Sequence, residues 1–360
     1  MSGPRILLFI DSLASGGAQR QIVLLFQELR ARRVDVWLTW YQPLDHFRSL
    51  IDASEGDRLL CLHKRSSAGL VRDLRHHLLA LRPDCVVSFL RGAATTIAMV
   101  RPLVPRFRWI LSERSSAAFG EISVLRRELY LWAARRADLV VPNNLTAIDV
   151  LVECGLNQDK IRCIPNGIRI GDEPPPPPAE GPLRLLMVGA VHELKNPHLV
   201  VDALAQLKHL EWRFDHVGRE LHRDVAQAIQ HKIELHRLED RVSFHGPRND
   251  VDAFYAACDL VVHPSRFEGF PNVLLEAWAA ARPALVSDRC DLPRLVDHGQ
   301  TGWIAPLDDP NGLREVLRHV LGLSRAQIAA AGARGLAEAR EYYALQHTTD
   351  QWLQAIHGDG

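Results

Sequence analysis

The stretch Ser265-Arg266-Phe267-Glu268-Gly269-Phe270-Pro271-Asn272-Val273-Leu274-Leu275-Glu276 decides how the rest of the chain reads. It follows Leu260–His263, a short apolar run of strand length, and it opens an apolar helical segment, Val273–Ala281. Gly269 permits a tight bend or a close ligand approach. Pro271 suits a first helical turn, where a missing N–H costs nothing. The amides of Asn272, Val273 and Leu274 are then left over at a helix N-terminus, which favours an anion such as a diphosphate. Glu268 precedes this helix and Glu276 lies about one turn inside it, so both can face one ligand from different depths. A carboxylate near a helix start also has a simpler use, because it complements the helix dipole.

Working outward, the same strand–loop–helix scheme repeats along the chain. In the second half Leu183–Val188, Arg213–Val217, Val242–His245 and Ala284–Val286 read as further strands. Helices are expected at His198–Leu207, His222–His236 and Asp250–Ala257. In the first half the strands are Arg5–Ile10, Val34–Leu38, Cys85–Phe89, Trp109–Leu111, Leu139–Val141 and Ile161–Ile164. The intervening helices are Ala18–Arg33, Gly69–Leu81, Thr95–Leu103, Ile122–Arg136 and Leu145–Cys154. Such alternation predicts parallel sheets with right-handed crossovers, hence an α/β protein of two doubly wound domains with a cleft between them. Five consecutive prolines, Pro174–Pro178, divide the halves. The expected parts are a domain at 1–172, a Pro-rich linker at 173–182, a second domain at 183–340 and a returning helix at 341–360. The helical tail Arg325–Ile356 is long enough to pack on one domain and cross to the other.

Hydrophobic residues make up 47% and charged residues 24% of the 360, the ordinary globular range. No uncharged apolar run approaches the roughly 18 residues a spanning helix needs. Ile6–Ile10 is too short for the core of a signal peptide. The six cysteines form no CxxC pair and read as reduced, mostly buried thiols of a cytoplasmic protein. Net charge is zero, but residues 1–172 hold 24 basic and 17 acidic side chains, a net of +7. A basic half can seek an anionic partner.

Glu268 and Glu276 form an E-x7-E pair, and the run FEGFPNVLLEA around them resembles the family-4 retaining glycosyltransferases of GT-B fold, of the bacterial surface-polysaccharide type. Three further segments fall where that family places its motifs, so the resemblance spans nearly the whole chain. Ser15-Gly16-Gly17-Ala18 resembles the glycine loop that approaches the donor phosphate. Val188-Gly189-Ala190-Val191-His192-Glu193-Leu194-Lys195 resembles the diphosphate segment. Ile164-Pro165-Asn166-Gly167 resembles the turn closing the first domain. The resemblance implies that Glu276 holds the ribose hydroxyls and Glu268 the donor sugar. Lys195, Gly17, Gly189, Gly269, Phe270, Pro271, Asn272 and Val273 are then expected on the donor, with Glu268 and Lys195 as catalytic candidates. Arg248 is placed near the base.

Two departures stand out. The family usually has an arginine where this chain has Ala190, and Arg266 or Arg219 are the candidates to replace it. Many relatives carry a histidine where this chain reads Ser112-Glu113-Arg114-Ser115-Ser116. Glu113 is therefore a catalytic candidate, and Arg114 and Gly16 are acceptor-side candidates; a buried Glu113–Arg114 ion pair is the other reading.

The seventeen histidines show no ligand spacing and no D-x-D stands at a strand end, so a metal-independent enzyme without a cofactor is expected. The co-substrate would be a nucleotide-sugar, expected to be of the UDP class. The acceptor would be a lipid-linked or surface glycan, transfer would be retaining, and nucleic acid is not an expected partner. Arg126–Arg136 and Arg101–Arg108 are basic, partly apolar segments that point to peripheral contact with the inner face of the cytoplasmic membrane. Two alternatives share these residues: a GT-B epimerase or phosphorylase, and a sugar-nucleotide-binding protein without catalysis.

Overall fold

A computed structural model describes residues 3–114 and 123–358 of the chain. Two compact units emerge, one of residues 1–167 with 345–360 and one of residues 168–344. The chain thus changes unit at Gly167–Ile168 and again at Ala344–Leu345, not at 172 and 340. The predicted helix start at Ile122, with Ser115 and Ser116, lies outside the described residues.

Unit 1 holds β1 Ile6–Ile10, β2 Val36–Trp40, β3 Leu59–Cys61, β4 Cys85–Phe89, β5 Arg108–Glu113 and β6 Leu139–Pro142. They form one sheet in the order β3-β2-β1-β4-β5-β6, and every pair is parallel. All five residues of β1 and of β4 are buried, because helices cover both faces of a parallel sheet. Alternation divides them. Leu7 and Phe9 join one core, with Val86 and Trp109; Ile6, Leu8 and Ile10 join the other, with Val87 and Phe26. The terminal helix Leu345–His357 closes this second core, where Trp352 stacks on Phe89 at 5.8 Å.

Unit 2 holds β7 Leu183–Val188, β8 Trp212–Val217, β9 Val242–Phe244, β10 Leu260–His263, β11 Ala284–Ser287 and β12 Gly302–Ala305. Their order, β12-β11-β10-β7-β8-β9, is the same doubly wound topology. The winding direction reverses between β7 and β10. Ligands of such sheets bind outside the carboxyl ends of the strands at that reversal.

Several expectations shift. Ile161–Ile164 is not a strand, although Arg162 N and Ile164 N donate to the carbonyls of Val140 and Pro142. The alternate bond of a parallel ladder would have to come from Pro142, which has no N–H, so one bridge at Val140–Ile161 remains. The edge strands β3 and β12 were not anticipated. The tail is not one helix: Arg325–Glu338 passes through a π turn, Ala339–Tyr343, before Leu345–His357. There the Tyr343 carbonyl accepts from Ile168 N at 2.9 Å. The polyproline segment belongs to unit 2. Buried Arg282 donates to the carbonyls of Pro175 and Pro176 at 3.2 and 2.8 Å. Only Cys85 and Cys258 are buried; the other four thiols are half-buried.

His216, on β8 beside the edge strand β9 of unit 2's sheet, makes stability sensitive to acid. It is fully buried, stacked on Phe244 at 4.6 Å, and neither ring nitrogen has a partner. Burial, with some help from His245, pushes its pKa down to about 4. The unfolded chain takes up this proton below about pH 6.5, and the folded chain only below about 4. Stability is therefore complete above pH 6.5 and declines by about 3 kcal/mol as pH falls to 4. Urea denaturation of His216→Phe should show a flatter profile over that window. Parallel profiles for the two proteins would refute the assignment.

Candidate active site

The reversal between β7 and β10 is where the chain gathers its charged side chains. Beyond β7, residues Glu193–Lys195 form a single 3-10 turn, started by His192, whose Nδ1 accepts from Leu194 N at 3.1 Å. Asn196 then takes a left-handed conformation (φ 56°) and is fully buried. Its Nδ2 donates to the Pro264 carbonyl at 2.7 Å, and Arg266 N donates to the Leu194 carbonyl at 2.8 Å. Two bonds therefore lash the Lys195 turn to the chain leaving β10. Lys195 and Glu268, 73 residues apart in sequence, meet as an ion pair through Nζ and Oε1.

The same Glu268 oxygen lies 2.7 Å from Nε2 of His263, the last residue of β10. Ser265 Oγ is 3.2 Å from that nitrogen. The Glu268 amide donates to Cys290 Sγ at 3.3 Å. Burial alone would raise the Glu268 pKa, but the His263 imidazole and the Lys195 ammonium overcome it and hold the carboxyl at about 2. Glu268 is a carboxylate throughout the physiological range.

Helix Asn272–Ala279 follows, with Pro271 just before its first residue. The expectation of three open amides needs correction. Pro271, at φ −81° and ψ 88°, sits in an inverse γ-turn that lets Asn272 N donate to the Phe270 carbonyl at 3.0 Å. Leu274 N is taken by the Pro271 carbonyl at 3.0 Å. Val273 lies between these two residues in the first turn. Gly269 bends the chain between Glu268 and Phe270, and Phe270 is buried against Tyr343 at 6.0 Å. Further along the helix Glu276 accepts from the buried Tyr255 hydroxyl at 2.7 Å.

The rim beside Lys195 is glycine. Gly189, Gly218 and Gly246 follow β7, β8 and β9 in register, with Gly189 N bonded to the Val217 carbonyl and Gly218 N to that of Gly246, both at 2.9 Å. Arg248 stands farther out on this rim, exposed and forked to Asp250 by two bonds of 2.8 Å. Of the two arginines considered for the gap at Ala190, Arg266 lines a pocket of about 470 Å³ together with His198 and Lys232. The Arg219 carbonyl accepts from Val191 N.

Unit 1 holds the remaining candidates. Gly16 is extended and caps helix Gly17–Ala31, which Gly17 opens. Glu113 ends β5 with no exposed surface, 3.8 Å from Arg91 Nε, and together with burial it drives the Tyr130 hydroxyl well above its ordinary pKa. Arg114 is buried. It bonds Ser112 Oγ at 2.7 Å and Asn166 Oδ1 at 2.8 Å, and it lies over the rings of Phe89 and Trp352. Burial lowers its pKa to about 10. The two residues do not present free polar surface and do not form the ion pair considered above: each is spent inside unit 1, Glu113 beside Arg91 and Arg114 on Ser112, the Asn166 turn and the terminal helix.

His263, Asn196, Cys290 and Tyr255 were missed from the sequence. His263 carried one readable signal, an imidazole closing the otherwise apolar run Leu260-Val261-Val262. Among the described residues no group of three His, Cys, Asp or Glu comes together as a metal site would require.

Comparison with known proteins matches residues 15–171 to the family described as Glycosyltransferase Family 4, and residues 182–322 to the one described as Glycosyl transferases group 1. The chain belongs to this glycosyltransferase family. A putative colanic acid biosynthesis glycosyltransferase, WcaL of Escherichia coli K12, is 26% identical over 69% of this chain and 64% of its own length. The first curated relatives are thus matched over less than two thirds of their length. An N-acetylgalactosamine-N,N'-diacetylbacillosaminyl-diphospho-undecaprenol 4-alpha-N-acetylgalactosaminyltransferase of Campylobacter jejuni is 25% identical over 87% of this chain and 89% of its own. Anabaena Alr3699/HepE, solved with UDP, shares the fold at a TM-score of 0.85 and 20% identity, covering 98% of this chain and 99% of that one.

Proposed function

We propose that this family member transfers a sugar from a nucleotide-sugar, of the UDP class, to a lipid-linked or surface-polysaccharide glycan, with retention of configuration. The observation that carries the reading is the Lys195–Glu268–His263 cluster at the β7/β10 reversal of unit 2. Glu268 is held ionised to accept hydrogen bonds from hydroxyls of the donor sugar. Eight residues on, Glu276 is oriented by Tyr255 to accept from the ribose hydroxyls. Lys195, with the amides of Phe270 and Val273 and the close approach that Gly189 permits by lacking a side chain, meets the charge that grows on the departing diphosphate. No side chain is assigned as a covalent nucleophile, so the acceptor attacks on the face the diphosphate leaves. The relatives named above, of colanic acid and undecaprenol-linked glycan synthesis, support the acceptor class. Incubation with a sugar-labelled nucleotide donor and lipid-linked acceptor should carry label into the organic phase. Nucleoside diphosphate release with no label in the acceptor would contradict transfer.

We place the acceptor side at the inner face of the cytoplasmic membrane, with peripheral contact. No helix among the described residues is long and apolar enough to cross a bilayer. The side chains that reach the surface differ from those expected. Tyr130, Ala133 and Ala134 are core, and Arg101 is spent on Asp138 and on the Arg136 carbonyl. What faces outward at the start of helix Val124–Arg136 is Val124, 67% exposed, and Leu125, 79% exposed, beside Arg126 and Arg127. Apolar side chains flanked by arginines suit an anionic bilayer surface. Leu125→Asp should reduce co-sedimentation with phosphatidylglycerol vesicles about tenfold, the value of one buried leucine. Unchanged sedimentation would remove this helix from the membrane contact.

A further inference from the structure

We propose that His263 is the positioning residue that keeps Glu268 in place for the donor sugar, leaving Lys195 free to turn to the diphosphate. The inference rests on the donor-site reading above. Glu268 Oε1 receives two donors of different character. Lys195 reaches it from the end of a flexible four-carbon stem and keeps 27% of its side-chain surface exposed. His263 reaches it from the end of β10, with 1% exposed and a ring fixed by only two torsions. A diphosphate competes with Glu268 for the Lys195 ammonium, because both are anions seeking the same compact cation. Once Lys195 turns to the phosphate, a carboxylate with 13% of its side chain exposed must rely on its remaining partner.

His263 meets two polar side chains, Glu268 and Ser265, and both at Nε2. Its Nδ1 is buried without a partner, so the ring bears the cost of burial for its Nε2 contacts alone. A leucine or valine would fit the strand Leu260-Val261-Val262 with no such cost. The surrounding bonds serve the same end. Ser287 Oγ donates to the Ser265 carbonyl at 2.6 Å, which fixes the chain leaving His263, and Cys290 Sγ accepts the Glu268 amide. With Oε1 occupied, Oε2 is the oxygen presented to the sugar. Glu268 thereby reads a hydroxyl in one orientation.

The test compares the best-stabilising member of a UDP-, GDP-, ADP- and CMP-sugar panel with its matching sugar-free nucleoside diphosphate. Both are titrated calorimetrically against wild type, His263→Leu, His263→Gln and Glu268→Gln. His263→Leu should weaken nucleotide-sugar binding tenfold or more while nucleoside diphosphate binding stays within twofold. His263→Gln, whose amide nitrogen reaches the Nε2 position, should restore most of the loss. Equal weakening of both ligands in His263→Leu, or weakening of neither, would overturn the positioning role, as would failure of Gln to do better than Leu. If Glu268→Gln binds the nucleotide-sugar as wild type does, or no panel member binds, the donor-site reading fails and this inference with it. Loss in Glu268→Gln alone leaves that reading standing and sinks only the role of His263.

Discussion

Glu268→Gln should lower turnover by about a thousandfold while leaving the protein folded. The substitution keeps size and shape but removes the charge that Lys195 and His263 converge on. Its amide offers one oxygen and one NH2 where the site has built two acceptor oxygens, so either His263 or the sugar hydroxyl meets a donor instead of an acceptor. Removal of a single preorganised electrostatic contact at a reacting centre costs roughly 10²–10³ in rate. The fold should survive, because Lys195 is partly exposed and can turn its ammonium to solvent. The same variant has a signature in stability. The Glu268 carboxyl titrates near 2 when folded, below its ordinary value of 4.5. Its contribution is therefore present above pH 4.5 and lost as pH falls from there through 2. Acid denaturation of Glu268→Gln should lack that component. Retained turnover, measured as nucleoside diphosphate release, would take Glu268 out of the catalytic assignment.

Gly218→Ala should be among the most damaging single changes in unit 2, costing about 4 kcal/mol or more. Gly218 has φ +159°, and a Cβ there would lie 1.7 Å from the Gly189 carbonyl oxygen. The clash is with backbone, at the close of β7 and β8, where no side chain can move aside. Relief requires the two strand ends to part, breaking the bonds that join Gly189 to Val217 and Gly218 to Gly246. Those ends carry the turn holding Lys195. By contrast Gly189, at φ +147°, has open space at its Cβ position, so Gly189→Ala suffers backbone strain only and should be milder. Thermal melts of the two variants decide the point: a Gly218→Ala protein as stable as wild type would contradict the close approach.

How much of this was legible in the sequence depends on range. The β7 and β10 strands were read to the residue, because short apolar runs between turn residues carry their own boundaries. Glu268 stood out in the loop after such a strand, and Lys195 only through the family resemblance of its segment. Their direct ion pair did not, since it depends on how two loops 73 residues apart are lashed by Asn196 and Arg266. Cys290 was invisible for the same reason, and His263 showed only as an imidazole closing an apolar run, with nothing to name Glu268 as its partner. Local geometry also hid the state of the helix start: a proline turn that closes on Phe270 cannot be told in sequence from one that leaves its amides open. Arg114 was misleading. A basic residue after a strand end looks available, yet here Asn166, Ser112 and two aromatic rings consume it.

The central claim is that unit 2 binds a nucleotide-sugar at the β7/β10 reversal, with Glu276 on the ribose. A thermal-shift series with UDP-, GDP-, ADP- and CMP-sugars tests it, run on wild type and Glu276→Ala in parallel. A ligand at one hundred times its dissociation constant adds about 2.7 kcal/mol of stability. One nucleotide class, the UDP-sugars, should stabilise wild type by that order and leave Glu276→Ala nearly unmoved. Equal stabilisation of both proteins would place the nucleotide elsewhere, and no stabilisation by any class would contradict the donor site itself.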